Sequence, residues 1–193
     1  MVRAAFLDRD GVVIDDVGIV TTAAQMRLCD GAAEATSLLA QAGFALFVAT
    51  NQTAMARGLL AAADLDALHR TLQAMLSASG GANIQQFYTC PHHPHAQIEA
   101  YRRHCACRKP MPGLLLQAAA DHGLSLTQSV LFGDRPSDIA CARRAGCEKA
   151  FLVASGVRAP IVGGEGLSAD ETLADGVSSS LFEAVRLFLG EGR

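Results

Sequence analysis

Short apolar runs alternate along the chain with longer segments in which apolar residues recur at helical spacing. The runs predict buried strands, because strands covered on both faces of a parallel sheet read as near-continuous hydrophobic stretches. Glycine or polar residues bound each run. The five predicted strands cover residues 4–7, 44–49, 84–88, 130–132 and 149–153.

The segments between the runs carry apolar residues every three or four positions, which is typical of amphipathic helices. The clearest stripe consists of Leu65, Leu68, Leu72, Met75 and Leu76, which we interpret as core. Glycine follows several of these segments, as it often follows the last turn of a helix. Further helices are predicted over residues 32–42, 112–122, 137–145 and 181–189, and a glycine-rich surface loop over 156–170.

Strands that alternate with helices predict an α/β fold, a doubly wound and mainly parallel sheet with helices on both faces. The length of 193 residues suits one domain over residues 1–193, and a hydrophobic fraction of 50% can fill its core. In such folds ligands bind beyond the carboxyl ends of the strands. We therefore expect the functional residues at that edge.

Charge and composition narrow the class of partner. The net charge of −3 comes without runs of like charge, which favours neither a nucleic acid nor a membrane surface as partner. Asp8 and Asp10 interrupt the first apolar run too early for a signal peptide, and no apolar stretch approaches the roughly 20 residues of a membrane span. We expect a cytoplasmic monomer that binds a small molecule.

Two carboxylates and a glycine follow the first predicted strand, in the sequence Asp8-Arg9-Asp10-Gly11. If the alternation of a strand continues, Asp8 and Asp10 lie on one side and Arg9 on the other. Two like charges about 4 Å apart cost roughly 4 kcal/mol at an effective dielectric constant near 20, so this pair implies a cation. The alternative interpretation is an acidic turn at a strand end.

Other strand ends and following loops supply Thr50, Lys109 and Asp134, with Asp138 four residues after Asp134. Together with Asp8 these residues suit phosphoryl transfer. A carboxylate can attack phosphorus, and a second carboxylate can move the proton of the leaving oxygen. Oxygen ligands suit Mg²⁺, while Thr50 and Lys109 would hold the phosphoryl oxygens. Taken singly, Thr50 could cap a helix, Lys109 could be a solvated charge and Gly133-Asp134 could be a turn.

These motifs, in this order, resemble the haloacid dehalogenase superfamily of phosphohydrolases over nearly the whole chain. The resemblance implies that Asp8 is the nucleophile and that Asp10 is the general acid and base. It also implies that Mg²⁺ is held by Asp8, Asp134 and the backbone carbonyl of Asp10. Asp138 would support the site.

A second metal site is predicted in the loop over residues 90–107. Cys90, His92, Cys105 and Cys107 supply three thiolates and an imidazole, which suit a closed tetrahedral Zn²⁺ site with a structural role. The alternative is a set of reduced, buried cysteines. Arg108 and Lys109 follow directly, so Zn²⁺ would fix two cations that meet the substrate.

Within the superfamily the chain resembles the family that groups the D-glycero-D-manno-heptose 1,7-bisphosphate 7-phosphatases with the histidinol-phosphatases. Shared motifs include Thr50-Asn51-Gln52, Cys90-Pro91-His92-His93-Pro94 and Cys105-Ala106-Cys107-Arg108-Lys109-Pro110. Arg108 would contact the distal phosphate or the sugar. The resemblance further implies a substrate site without a large cap domain, lined by Asp16, Val17, Gly18, Ile19, Thr50, Asn51, Gln52, Thr53 and Lys109.

Substitutions within these motifs leave substrate choice open. Val12 stands where the family usually has threonine, Asp15 where it has asparagine, and Thr53-Ala54-Met55 replaces the common serine, glycine, isoleucine. Histidinol phosphate or another sugar phosphate is therefore an alternative substrate. Two non-enzymatic alternatives are a receiver-like module that stores a phosphoryl group and an interaction module built on zinc.

Overall fold

A computed structural model shows one parallel sheet of six strands, with residues 1–154 and 169–190 described. The strands are β1 (Ala4–Leu7), β2 (Ala45–Asn51), β3 (Gln86–Cys90), β4 (Val130–Gly133), β5 (Lys149–Val153) and β6 (Gly176–Ser178). Their order across the sheet is β3-β2-β1-β4-β5-β6, and every neighbouring pair is parallel. The predicted doubly wound α/β fold is confirmed.

Five of the helices lie where helical spacing predicts them, within one or two residues at most ends. The helices are α1 (Ala32–Gln41), α2 (Thr53–Ala56), α3 (Ala62–Ala78), α4 (Gly113–His122), α5 (Pro136–Ala145), α6 (Ala169–Thr172) and α7 (Leu181–Leu189). The sequence did not predict α2, α6 or β6, because elements of three or four residues show no period. The predicted loop over 156–170 lies outside the described residues except for the start of α6.

Two hydrophobic cores cover the two faces of the sheet. Ala5 and Leu7 of β1 belong to the core that α1, α3 and α7 help to form, while Ala4 and Phe6 belong to the core under α4 and α5. Alternate residues of one strand thus face opposite cores, as the pleat requires. The stripe of α3 is core as predicted, with Met75 partly buried and the other members buried: Leu65, Leu68, Leu72 and Leu76.

The strand order places a crevice at the carboxyl end of β1. The chain leaves β1 toward β2 on one side, and β4 pairs with β1 on the other, so the connections diverge at this point. Such a divergence opens a ligand crevice in doubly wound sheets. In the described part of the chain no helix is both long and apolar enough to cross a membrane.

Candidate active site

The carboxyl ends of β1 and β2 bring Asp8 and Thr50 together in a cleft of about 210 Å³. Asp8 directly follows β1, and its backbone N–H donates to the carbonyl of Phe132 in β4 at 2.9 Å. Asp8 is 8% exposed and Thr50 is 1% exposed. The sheet therefore fixes the backbone under both polar groups, and only their reactive ends meet the cleft.

Lys109 reaches this point from the loop before α4 and is almost completely buried. Its Nζ lies 2.7 Å from Asp8 Oδ1, 2.8 Å from the carbonyl of Ala49 and 2.5 Å from Asp138 Oδ1. Burial alone would lower the pKa of Lys109, but the carboxylates of Asp138 and Asp8 outweigh burial and raise it. Lys109 is thus a permanent cation beside Asp8.

The side chain of Asn51 holds the Lys109 backbone against β2. Its Oδ1 accepts the N–H of Lys109 at 3.1 Å, and its Nδ2 donates to the carbonyl of Lys109 at 3.2 Å. This two-bond clip joins positions 58 residues apart in sequence. These bonds therefore fix the loop to the sheet at Lys109 itself, the residue whose side chain contacts Asp8.

Three carboxylates, those of Asp8, Asp134 and Asp138, offer oxygens that lie within 4.8 Å of one another. Burial, and after it the charges of Asp8 and Asp138, raise the pKa of Asp134 to about 8. Asp134 Oδ1 is buried and has no hydrogen-bond partner among the described residues. Clustered carboxylate oxygens, one of them without a partner, fit a hard divalent cation such as Mg²⁺.

Gly11 lets the loop after β1 pass close to Asp134. A Cβ atom at position 11 would lie 2.8 Å from Asp134 Oδ2, and the φ angle of Gly11 is +82°. Any side chain would push this carboxylate away and strain the backbone as well. The close approach of Asp134 therefore explains why a glycine occupies the last position of the Asp8-Arg9-Asp10-Gly11 motif.

Asp10 lines the cleft but does not belong to the carboxylate cluster. Its carboxylate pairs with Arg9, whose Nη2 lies 2.9 and 3.0 Å from the two oxygens. Burial raises the pKa of Asp10, and the charge of Arg9 opposes this shift. The alternation expected from β1 does not extend to Arg9, because the strand ends at Leu7 and the loop turns the guanidinium toward Asp10.

The residues of the predicted zinc site converge. Cys90, His92, Cys105 and Cys107 place one ligand atom each within 4.8 Å of all the others. Their sulfur atoms lie 3.1, 3.3 and 3.6 Å apart, near the roughly 3.8 Å that tetrahedral Zn²⁺ with 2.3 Å bonds requires. All six cysteines are free of disulfides. The donor set and its geometry thus fit Zn²⁺.

Most of the predicted substrate residues line the same cleft. They are Asp16, Gly18, Thr50, Asn51, Thr53, Arg108 and Lys109. Val17 points to solvent with 55% exposure, Ile19 packs against the core, and Gln52 is buried behind Asp10. The Gly18 N–H donates to Asp16 Oδ1 at 2.8 Å, so residues 16–18 form a local turn in which Asp16 and Gly18 line the cleft and Val17 does not.

Sequence reasoning did not single out Arg135, which also lines the cleft. Its guanidinium lies 3.2 Å from Asp16 and 3.6 Å from Asp134. Its position in the sequence could have indicated this role, since Arg135 directly follows the Gly133-Asp134 motif and caps the start of α5. Arg135 thus adds a second arginine to a cleft that Arg108 already lines.

Comparisons with known proteins identify the family of the chain. Residues 106–182 match the family model described as HAD-hydrolase-like. The D-glycero-beta-D-manno-heptose-1,7-bisphosphate 7-phosphatase of Rhodopseudomonas palustris is 41% identical over 143 residues, which are 74% of this chain and 79% of that protein. The chain belongs to the haloacid dehalogenase-like hydrolases. It is a phosphatase of that family.

Further relatives extend the likeness to solved structures. The enzyme of the same name from Escherichia coli K12 is 37% identical over 155 residues, or 80% of this chain and 81% of that protein. A crystal structure of D,D-heptose 1,7-bisphosphate phosphatase from B. bronchiseptica, complexed with magnesium and phosphate, is 30% identical with a TM-score of 0.78. The match covers 98% of this chain and 99% of that chain, so the likeness in fold extends over the whole domain.

Proposed function

We propose that this phosphatase transfers the phosphoryl group of its substrate to Asp8 and then hydrolyses the resulting aspartyl phosphate. The observation that carries the proposal is the position of Asp8, at the base of the cleft and 2.7 Å from the Lys109 cation. A carboxylate nucleophile divides the displacement into two easier steps. Lys109 and Thr50 would bind the phosphoryl oxygens as their charge is redistributed.

Asp10 would act as general acid in the first step and as general base in the second. It lines the cleft beside Asp8, and its raised pKa keeps a proton available at higher pH than an ordinary carboxyl would. In the first step Asp10 gives its proton to the leaving oxygen of the substrate. In the second it takes a proton from the water that attacks phosphorus, which regenerates the free carboxylate of Asp8.

We propose that the carboxylates of Asp8 and Asp134, with the backbone carbonyl of Asp10, hold Mg²⁺. When bound, the ion screens the negative charge of Asp8 from that of the phosphate. The three-carboxylate cluster and the unpartnered oxygen of Asp134 support this assignment. Asp138 would support the site instead, by pairing with Lys109 and holding it in place.

The substrate that we propose is D-glycero-D-manno-heptose 1,7-bisphosphate, with loss of its 7-phosphate. The names of the relatives support this choice, and so do two arginines, Arg108 and Arg135, in a cleft whose catalytic end already has Lys109. Phosphate release from the heptose bisphosphate anomers, fructose bisphosphate and histidinol phosphate would test it. A higher kcat/KM on histidinol phosphate would favour the alternative of a histidinol-phosphatase.

Arg108→Met is expected to weaken the selection of bisphosphates. Arg108 Nη1 is fixed to the carbonyl of His92 at 3.0 Å, which directs the guanidinium along the cleft. Loss of a charge-assisted bond to the distal phosphate corresponds to about a 10- to 100-fold lower kcat/KM on the bisphosphate. The kcat/KM on a monophosphate should change less than about threefold. Equal losses on both substrates would show that Arg108 does not recognise the distal phosphate. Arg70→Met, at an exposed position of α3, is the control.

Removal of zinc is expected to lower both stability and activity. Structural zinc sites contribute about 10 kcal/mol or more of binding free energy, and this loop carries Arg108 and Lys109 directly after Cys107. Cys107→Ser should reduce bound zinc, the melting temperature and turnover together. Cys29→Ser, outside the cluster, should retain about one zinc per chain. Full activity in zinc-free protein would contradict the proposed structural role.

A further inference from the structure

We infer that Arg9 and His69 are positioning residues that hold the Asp10 carboxylate in place for proton transfer to the leaving group. The inference rests on the proposed function of Asp10 as general acid. It concerns two buried residues that have no part in binding metal or phosphate. His69 belongs to α3, far from Asp10 in sequence and on the side of the sheet where that helix packs.

Arg9 fixes both the position and the plane of the Asp10 carboxylate. Its Nη2 lies 2.9 and 3.0 Å from the two oxygens, and its Nε lies 3.2 Å from each. Arg9 is only 1% exposed, so surrounding atoms confine the guanidinium. A fork of this kind restricts rotation of a carboxylate, which a single bond cannot do.

Gln52 closes the arrangement on the other side. Its Oε1 accepts from Arg9 Nη2 at 2.9 Å, while its Nε2 donates to Asp10 Oδ2 and to Thr50 Oγ1, each at 2.9 Å. The network therefore runs from the buried guanidinium to two groups that line the cleft. A displacement of Arg9 would move Asp10 and would also change the hydrogen bond to Thr50.

Two buried nitrogen atoms without hydrogen-bond partners connect His69 with Arg9. Arg9 Nη1 and His69 Nε2 both lack a hydrogen-bond partner within the described ranges 1–154 and 169–190. One is a donor, and the other can accept when the imidazole is neutral. Burial, and after it the charge of Arg9, lower the pKa of His69 to about 4, so the ring is neutral near pH 7. The two unsatisfied groups are therefore complementary.

The packing around His69 leaves its ring little freedom. The imidazole stacks on Phe87 of β3 with ring centroids 4.4 Å apart and an angle of 11° between the planes. His69 is 7% exposed and lies beside the apolar stripe of α3, where a leucine would fill the space without the polar cost. A neutral nitrogen that accepts from Arg9 through one bridging water would explain why a histidine occupies this position.

The test compares substrates that differ in their need for an acid. Cleavage of an alkyl phosphate requires protonation of a poor leaving group, whereas 4-nitrophenyl phosphate releases a stable anion without help. The ratio kcat/KM covers only the steps up to the aspartyl phosphate, so it isolates this requirement. His69→Phe keeps a stacked ring but removes the acceptor, and His69→Gln restores an acceptor oxygen.

We expect His69→Phe to lower kcat/KM on the alkyl phosphate by about tenfold, which is a part of the roughly 10²- to 10⁴-fold contribution of a general acid. On the aryl phosphate we expect a loss of less than about twofold. Arg9→Met should give the same selectivity with a loss of about 100-fold or more on the alkyl phosphate. His69→Gln should retain most of the activity. The control is His122→Phe, at a half-buried helical histidine whose ring lies 4.8 Å from that of Phe47 with the planes tilted by 51°.

Equal losses on the two substrates, or an unchanged His69→Phe enzyme, would overturn the inference. Loss of activity in His69→Gln equal to that in His69→Phe would overturn it too, because packing alone would then explain the effect. The comparison uses whichever alkyl phosphate the natural enzyme hydrolyses, so a wrong sugar leaves it intact. If Asp10→Asn showed no selectivity between the substrates, the proposed role of Asp10 would fail first.

Discussion

Asp8→Asn is expected to abolish turnover while the protein stays folded. The substitution keeps the shape of the side chain but replaces the nucleophilic oxygen with an amide that cannot form the aspartyl phosphate. Loss of a covalent nucleophile typically lowers kcat by about 10⁴- to 10⁶-fold. Phosphate release and a single-turnover search for phosphorylated enzyme would measure this effect.

The stability of Asp8→Asn gives the prediction a second part. Asp8 is one of three clustered carboxyl groups, and Lys109 keeps its ion pair with Asp138 when Asp8 is replaced by a neutral side chain. Removing a like charge relieves repulsion, so without Mg²⁺ the melting temperature should not fall. Asp15→Asn, in the exposed pair with Arg27, is the control and should keep its activity. Turnover retained by Asp8→Asn would place the nucleophile elsewhere.

Lys109→Met is expected to lower activity and stability together. Lys109 is the buried cation that compensates Asp8 and Asp138, with contacts of 2.7 and 2.5 Å. Removing one partner of a buried ion pair typically costs about 3–5 kcal/mol, because the remaining charges stay buried and unpaired. Activity should fall by at least about 10³-fold, since an electrostatic contact to the phosphoryl group is lost as well. Chemical denaturation and kcat/KM would measure both effects.

The matched control for Lys109→Met is Lys149→Met. Lys149 also forms a salt bridge, with Asp175 at 3.1 Å, but its side chain is 46% exposed. Surface pairs contribute about 0–1 kcal/mol, so this variant should be nearly as stable as the natural protein. A Lys109→Met protein with unchanged stability and activity within tenfold would show that Asp8 and Asp138 do not depend on this cation.

Much of the fold and the site follows from the sequence because parallel strands end at a common edge. Asp8 after β1 and Thr50 in β2 lie in one cleft, and Lys109 joins them from a loop that Asn51 ties to β2. The cysteines and His92 of the zinc loop also converge as their pairing suggested. In these cases the order of polar residues along the chain was sufficient.

Side-chain direction in the loops was harder to predict, because it depends on where a strand stops. The strand β1 ends at Leu7, so Arg9 turns to Asp10 rather than to the opposite side. Ile19 and Gln52 were expected in the substrate site, yet one packs into the core and the other binds Asp10. Such choices depend on tertiary packing, which local spacing does not encode.

A crystal structure with Mg²⁺ and beryllium fluoride, a mimic of the phosphoryl group, tests the central claim most directly. The claim is that Asp8 accepts the phosphoryl group beside an ion shared with Asp134, whose carboxylates offer oxygens within 4.8 Å of each other. We predict that beryllium fluoride is bound to a carboxylate oxygen of Asp8, and that Mg²⁺ is bound by Asp8, Asp134 and the backbone carbonyl of Asp10. An adduct on another residue, or an ion that does not contact both Asp8 and Asp134, would contradict it.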